Sequence, residues 1–100
     1  MKDYTYLKNT IAKLKEEEAL EFVNNFMKDS PSIEQINELI KASREGLEIV
    51  KNLFEERKYQ VGDLIFGGEI LSQIYESIAS VINEDIFTSE ITIFSNENKA

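Results

Sequence analysis

The 100-residue chain contains no histidine, no cysteine and no tryptophan, and it has a single proline. Without cysteine it can form no disulfide, no thiolate zinc site and no cysteine nucleophile, and this absence fits a reducing compartment such as the cytoplasm. Without histidine it lacks the side chain that most often acts as a general acid or base near neutral pH. We therefore do not expect this chain to be an enzyme on its own.

Basic residues are also scarce, with 11 Lys and Arg against 19 Asp and Glu, which leaves a net charge of -8. Nucleic-acid binding depends on basic side chains that displace counterions from phosphates, so DNA and RNA are not expected partners. No apolar run approaches the roughly 18 residues that a membrane-spanning helix needs. The N-terminus has no continuous apolar signal-peptide core, so the cytoplasm is the expected location.

Apolar residues recur at spacings of three and four along most of the chain, which predicts a series of amphipathic helices. The first should end near Lys15 and the second before Pro31. Ser32 and Gln35 have the spacing of a capping box, so a third and longest helix should begin at Ile33.

The third helix should end near Lys58, and residues 59–62 should form a tight corner before the fourth helix. Residues 90–94 have some strand character, but a single short strand without a partner is not stable. One hundred residues correspond to one domain. We predict an all-α fold, an antiparallel four-helix bundle over residues 1–83, followed by a linker or flexible tail over residues 84–100.

All four glycines lie within residues 45–71, which read EGLEIVKNLFEERKYQVGDLIFGGEIL. This stretch resembles, without a gap, the helical cap of corrinoid methyltransferase proteins of the methionine synthase type. The positions that match the cap pattern are Gly46, Val50, Leu53, Phe54, Tyr59, Leu64, Ile65 and Glu69. The positions that depart from it are Glu45, Lys51, Arg57, Gly62, Asp63 and Leu71, with Arg57 standing where the pattern has a glycine.

The resemblance implies a function that depends on a partner. In corrinoid proteins the cap covers the reactive upper face of cobalamin, above a separate doubly wound domain that carries the methyl group on cobalt. The partner implied here is that cobalamin-binding domain or a methyltransferase subunit. Because the lower cobalt ligand is a histidine of that domain, this chain is expected to bind cobalamin only with the partner and not alone.

The resemblance also implies where the cofactor contacts lie, namely at the corner and the first turns of the fourth helix, with one on the third. Carried over by position, they are Leu47, Tyr59, Asp63, Phe66, Gly67, Glu69 and Ile70. Shielding of this kind needs apolar surface that excludes water and no acid or base. Structural roles remain open for the same residues: Gly67 could allow a close helix approach, Tyr59 could pack the corner, and Glu69 could be an ordinary solvated carboxylate.

A second class of function is a non-catalytic interaction module that binds a protein or a second copy of itself. If Phe66, Ile70, Tyr59 and Leu47 face outward, they form an apolar patch that a small monomer would seldom leave bare, and a homodimer is then expected. The two hypotheses differ in whether that patch closes on a cobalamin-carrying domain or on another bundle.

Overall fold

The structure is a computed structural model that describes residues 3–81. It contains four helices, α1 (Tyr4–Ala12), α2 (Glu16–Lys28), α3 (Ile33–Glu55) and α4 (Val61–Val81), and this described part of the chain has no strand. The predicted all-α four-helix bundle is therefore confirmed. The domain boundary predicted at residue 83, the tail over residues 84–100 and the strand character at residues 90–94 lie outside the described residues.

Local capping sets where the helices begin. The predicted capping box is present at the start of α3: the backbone N–H of Gln35 donates to Ser32 Oγ at 3.1 Å, and that of Ser32 donates to Gln35 Oε1 at 2.9 Å. Helix α4 begins at Val61, earlier than predicted, because the N–H of Gln60 donates to Asp63 Oδ2 at 2.9 Å. This bond satisfies a donor that a helix start otherwise leaves unpaired.

Two helices end earlier than predicted, and in both cases a residue with left-handed backbone ends the helix. Leu14 has a φ of 61° after α1, and Arg57 has a φ of 67° after α3. The next residue then donates its N–H to a carbonyl five positions back, from Lys15 to Thr10 at 2.8 Å and from Lys58 to Leu53 at 2.9 Å. These bonds are those of a Schellman motif, whose left-handed position is usually a glycine.

The core lies where α1 packs against α3 and where α4 packs against both α2 and α3. Its fully buried apolar side chains come from all four helices and include Leu7, Ile11, Val23, Leu39, Ile70, Ile74 and Ile78. Helices α1 and α3 approach closely at Gly46. A Cβ added there would lie 2.8 Å from the Cβ of Ile11 and 3.0 Å from the carbonyl oxygen of Lys8. Gly46 is therefore required by the helix crossing.

We expect Gly46→Ala to lower the free energy of unfolding by up to about 2 kcal/mol, because overpacking at a helix crossing costs about 1–3 kcal/mol and the gain in helix propensity returns about 1 kcal/mol. The matched control is Gly68→Ala, where an added Cβ meets nothing within 4 Å. The free energy of unfolding of Gly68→Ala should rise by about 0.5–1 kcal/mol. Urea unfolding followed by circular dichroism measures both, and a stabilised Gly46→Ala would contradict the close approach.

A second prediction concerns the end of α3. Arg57→Gly should raise the free energy of unfolding by about 1 kcal/mol, because a left-handed backbone costs a residue with a Cβ about 1–2 kcal/mol that glycine does not incur. Arg44→Gly, at an exposed position within α3, should instead lower it by about 1 kcal/mol. The same urea experiment compares them, and equal effects of the two substitutions would rule out the left-handed end at Arg57.

Candidate functional site

Helix α4 carries most of the predicted site residues, and contacts on its two flanks show how it is oriented. On one flank Gln73 Nε2 donates to Glu16 Oε2 of α2 at 2.6 Å. On the other, a Cβ added at Gly67 would lie 3.2 Å from Leu47 Cδ1 of α3. The inner face between these flanks holds Ile70, Ile74 and Ile78, whose side chains are fully buried. The opposite face of α4 therefore points away from the bundle.

Tyr59 lies in the corner between α3 and α4 and is half-buried. Its hydroxyl donates a 2.6 Å hydrogen bond to the carbonyl oxygen of Ala12, the last residue of α1. A carbonyl at a helix end has no partner within its own helix, so this bond satisfies it from a distant part of the chain. Tyr59 thereby joins the corner that precedes α4 to the end of α1.

Asp63 and Phe66 also take part in the fold. The Asp63 carboxylate accepts the N–H of Gln60 and closes the first turn of α4. The ring of Phe66 is partly buried against the hydrophobic core. Each keeps some exposed surface, but neither side chain is free to turn toward a ligand without leaving these contacts.

Leu47 of α3 lies against Gly67 of α4, and Ile70 follows Gly67 on the buried side of α4. Gly67 is buried, and a Cβ there would lie 3.2 Å from Leu47 Cδ1 and 3.3 Å from Val50 Cγ1, so it permits the close helix approach that the sequence left open. Ile70 does not belong to the outward-facing apolar patch considered for the interaction module, because none of its side chain is exposed. Ile70 lies three residues after Gly67 and four before Ile74, and this spacing places all three on the inner face.

Glu69 is the one predicted site residue in the exposed class, and its neighbours on the surface were not predicted as site residues. Val61 and Ile65 are 59% and 58% exposed, the two largest values among the exposed large hydrophobic residues of the described chain. A Cβ added at Gly62 or Gly68 would meet nothing within 4 Å. We call the surface formed by Val61, Gly62, Ile65, Gly68 and Glu69 the α4 outer face.

The sequence contained a signal for this surface. Val61, Ile65 and Glu69 are spaced by four, opposite the inner stripe of isoleucines, so helical periodicity alone places them together. The predicted corner over residues 59–62 leaves Val61 and Gly62 outside the fourth helix and therefore off this face. Once the helix begins at Val61, its first turn joins the outer face.

The α4 outer face has little charge. The 21 residues of α4 include three charged side chains, Asp63, Glu69 and Glu76, and neither Lys nor Arg. Among residues 3–81 no three His, Cys, Asp or Glu side chains are grouped so that they could hold a metal ion. The described helices also include none with the length and apolar character needed to cross a membrane. The arrangement is suited to covering an apolar surface, not to acid–base chemistry.

Comparison with known proteins gives a match over most of the described chain. Residues 5–78 match the family described as the B12 binding domain, a span that includes every predicted site residue and the α4 outer face. No solved structure matches the chain.

The hydrogen bond of Tyr59 leads to a prediction that separates its structural role from a direct role at the surface. Tyr59→Phe should lower the free energy of unfolding by about 1 kcal/mol, because it removes a hydrogen bond and leaves the Ala12 carbonyl without its partner. Tyr6→Phe, at a side chain 43% exposed, is the matched control and should change stability little. Urea unfolding of both variants tests this, and equal stability would show that the bond contributes nothing.

Proposed function

This chain belongs to the B12 binding domain family, the helical cap of cobalamin-binding proteins, and we propose that its α4 outer face covers the upper face of the corrin ring in a methyl-carrier system. A domain of this family is an accessory module and not a catalytic domain itself, and it normally pairs with a Rossmann-like cobalamin-binding domain. Our proposal adds two points to this family membership. The first is that the α4 outer face is the surface that contacts the ring, and the second is that the cofactor serves methyl transfer.

The observation that carries the proposal is the shape and polarity of the α4 outer face. Val61 and Ile65 expose more than half of their side chains one helical turn apart. Gly62 and Gly68 add no side chain beside them, and the space above each is open. A broad planar ring can approach such a surface closely, and the two apolar side chains would lose their contact with water when it does.

The residues present fit a cover and not a ligand for cobalt. The full sequence has no histidine and no cysteine, and Glu69 supplies the charge on the α4 outer face. Cobalamin, held by the partner domain, would supply the methyl-transfer chemistry. This chain would use Val61 and Ile65 to exclude water from the upper face of the ring, because an apolar cover limits side reactions with solvent.

The seven residues implied by the resemblance divide into two roles in this proposal. Glu69 is the predicted residue that would meet the cofactor or its surroundings directly. The other six hold α4 in place, two of them through hydrogen bonds at its start and four through packing: Tyr59, Asp63, Leu47, Phe66, Gly67 and Ile70.

The partner would be a cobalamin-loaded doubly wound domain or a methyltransferase subunit that contains one. Nothing in the α4 outer face selects a methyl donor, so donor choice would belong to that partner. We keep the cytoplasm as the expected location, because the chain has no cysteine and a reducing compartment suits such a composition.

The proposal predicts that a charge placed on the α4 outer face weakens assembly with the cobalamin-loaded partner domain. Ile65→Glu should reduce the affinity at least tenfold, which corresponds to about 1.4 kcal/mol, because assembly would bury an unpaired carboxylate. The measurement is isothermal titration calorimetry with the loaded domain. Slower oxidation of the reduced cofactor in the complex, followed by its visible spectrum, tests shielding separately.

Ile33→Glu is the control, because Ile33 is a comparably exposed isoleucine at 47%. It lies at the start of α3, about 33 Å along that helix from Glu55, the end of α3 that leads into the corner before Val61. Equal affinity losses for both variants, or no loss for Ile65→Glu, would overturn the proposed surface. A third outcome would favour the interaction module instead. In that case the wild-type chain self-associates without binding cofactor, and Ile65→Glu abolishes the self-association whereas Ile33→Glu does not.

A further inference from the structure

Two side-chain hydrogen bonds connect α4 and the corner before it to one short segment, the joint between α1 and α2. Tyr59 Oη donates to the carbonyl oxygen of Ala12 at 2.6 Å, and Gln73 Nε2 donates to Glu16 Oε2 at 2.6 Å. Ala12 is the last residue of α1 and Glu16 is the first of α2, so the two acceptors stand at the two ends of the joint. The α4 outer face, which lies within residues 61–69, is therefore bracketed along the chain by two bonds to the same joint.

The joint itself has a fixed backbone. Its residues 13–15 all donate their backbone N–H groups to carbonyl oxygens of α1, at distances of 2.8–3.0 Å. Leu14 takes the left-handed conformation that this pattern requires, with a φ of 61°. Because its donors are satisfied by α1, the joint moves with that helix and forms a firm support for the side chains bonded to it.

Apolar packing alone specifies the rotation of α4 about its own axis only weakly. Beside the buried isoleucine stripe, Leu64, Leu71 and Tyr75 are half-buried on one flank, so a small rotation toward that flank would bury more apolar surface there. Burial has no directional requirement, whereas a hydrogen bond restricts both distance and angle. A rotation of about 20° moves a side chain by about 2 Å, because helix side chains extend about 5–6 Å from the axis.

The bond between Gln73 and Glu16 supplies this directional restraint. It is partly buried, and because a carboxylate only accepts hydrogen bonds, the amide nitrogen of Gln73 must face it. A bond to an ionised acceptor is roughly twice as strong as a neutral one. Gln73 lies one turn after Glu69 on the same side of α4, so a fixed Gln73 also fixes the directions of Glu69 and Ile65.

We propose that Gln73 and Glu16 are positioning residues, whose hydrogen bond, together with that of Tyr59, holds the α4 outer face in the orientation that covers the cofactor. Both act through α4, and neither is placed in contact with the cofactor. The effect on assembly rests on the function proposed above, whereas the effect on the orientation of α4 does not. A face that is already oriented binds its partner without the additional cost of ordering it.

The orientation is measured in the full-length chain, whose lack of cysteine allows two labels to be placed at will. Glu21→Cys on the exposed side of α2 and Ile65→Cys on the α4 outer face carry nitroxide spin labels. Pulsed electron paramagnetic resonance then gives the distribution of distances between the labels. With the native Gln73 and Glu16 we expect one narrow distribution.

Exchange of the bonded pair provides the decisive comparison. Gln73→Glu places two carboxylates against each other and should broaden or shift the label distances. Glu16→Gln combined with Gln73→Glu returns one amide and one carboxylate to the pair at the original net charge, and the narrow distribution should return. Gln73→Met removes the donor without adding charge, so it tests the same bond if Gln73→Glu fails to fold by circular dichroism.

Assembly is measured on the same variants without the cysteines, by isothermal titration calorimetry with the cobalamin-loaded partner domain. Gln73→Glu should weaken binding about fivefold if about a fifth of the molecules keep the binding orientation. The exchanged pair should bind within about twofold of wild type, although it too has a carboxylate at position 73. Asn37→Asp makes the same amide-to-carboxylate change at an exposed position of α3 and should leave the affinity unchanged.

The outcomes separate this proposal from the proposed function. Label distances that stay the same in both Gln73→Glu and Gln73→Met would overturn the positioning role. A loss of affinity that the exchanged pair does not restore would overturn it as well, because the loss would then follow the charge at position 73. If Gln73→Glu disturbs the distances and the exchange restores them while assembly is unaffected, Gln73 and Glu16 still position α4, and the proposed cofactor surface fails.

Discussion

The burial of one face of α4 is the constraint on which the rest of this structure depends. This helix is apolar on its inner face through Ile70, Ile74 and Ile78, and also on its outer face through Val61 and Ile65. A small bundle can cover only one side of a helix. The inner stripe is the longer of the two, and it buries three isoleucines completely against the other helices. The outer face is left exposed as a consequence.

Two glycines on α3 and α4 let the helices come close enough for that burial. Gly46 permits α1 to approach α3, and Gly67 permits α4 to approach α3 at Leu47 and Val50. Tyr59 then joins the end of α1 to the corner before α4 with one hydrogen bond. Much of the pattern that resembles a corrinoid cap is therefore accounted for by the packing of the fold. Arg57 fits this view, because the glycine of the pattern falls at a left-handed helix end.

The proposed function follows from what remains exposed. A face with two large apolar side chains, two open glycines and one carboxylate can exclude water from a flat partner, and it contains neither an imidazole nor a thiolate. This agrees with membership of a family of accessory helical caps.

Sequence alone determined the helices and the family resemblance, because periodicity, the capping box at Ser32 and the glycine spacing are local properties of the chain. It could not assign each site residue to the surface or the core, because that depends on which face of α4 the other helices cover. Gly67 and Ile70, two of the cofactor contacts that the resemblance implies, lie inside, whereas Val61 and Ile65, which are not among those contacts, lie outside. The tertiary structure decided which residues lie at the surface. Helix α4 begins at Val61, where the Asp63 cap closes its first turn, and the other helices bury its inner isoleucines.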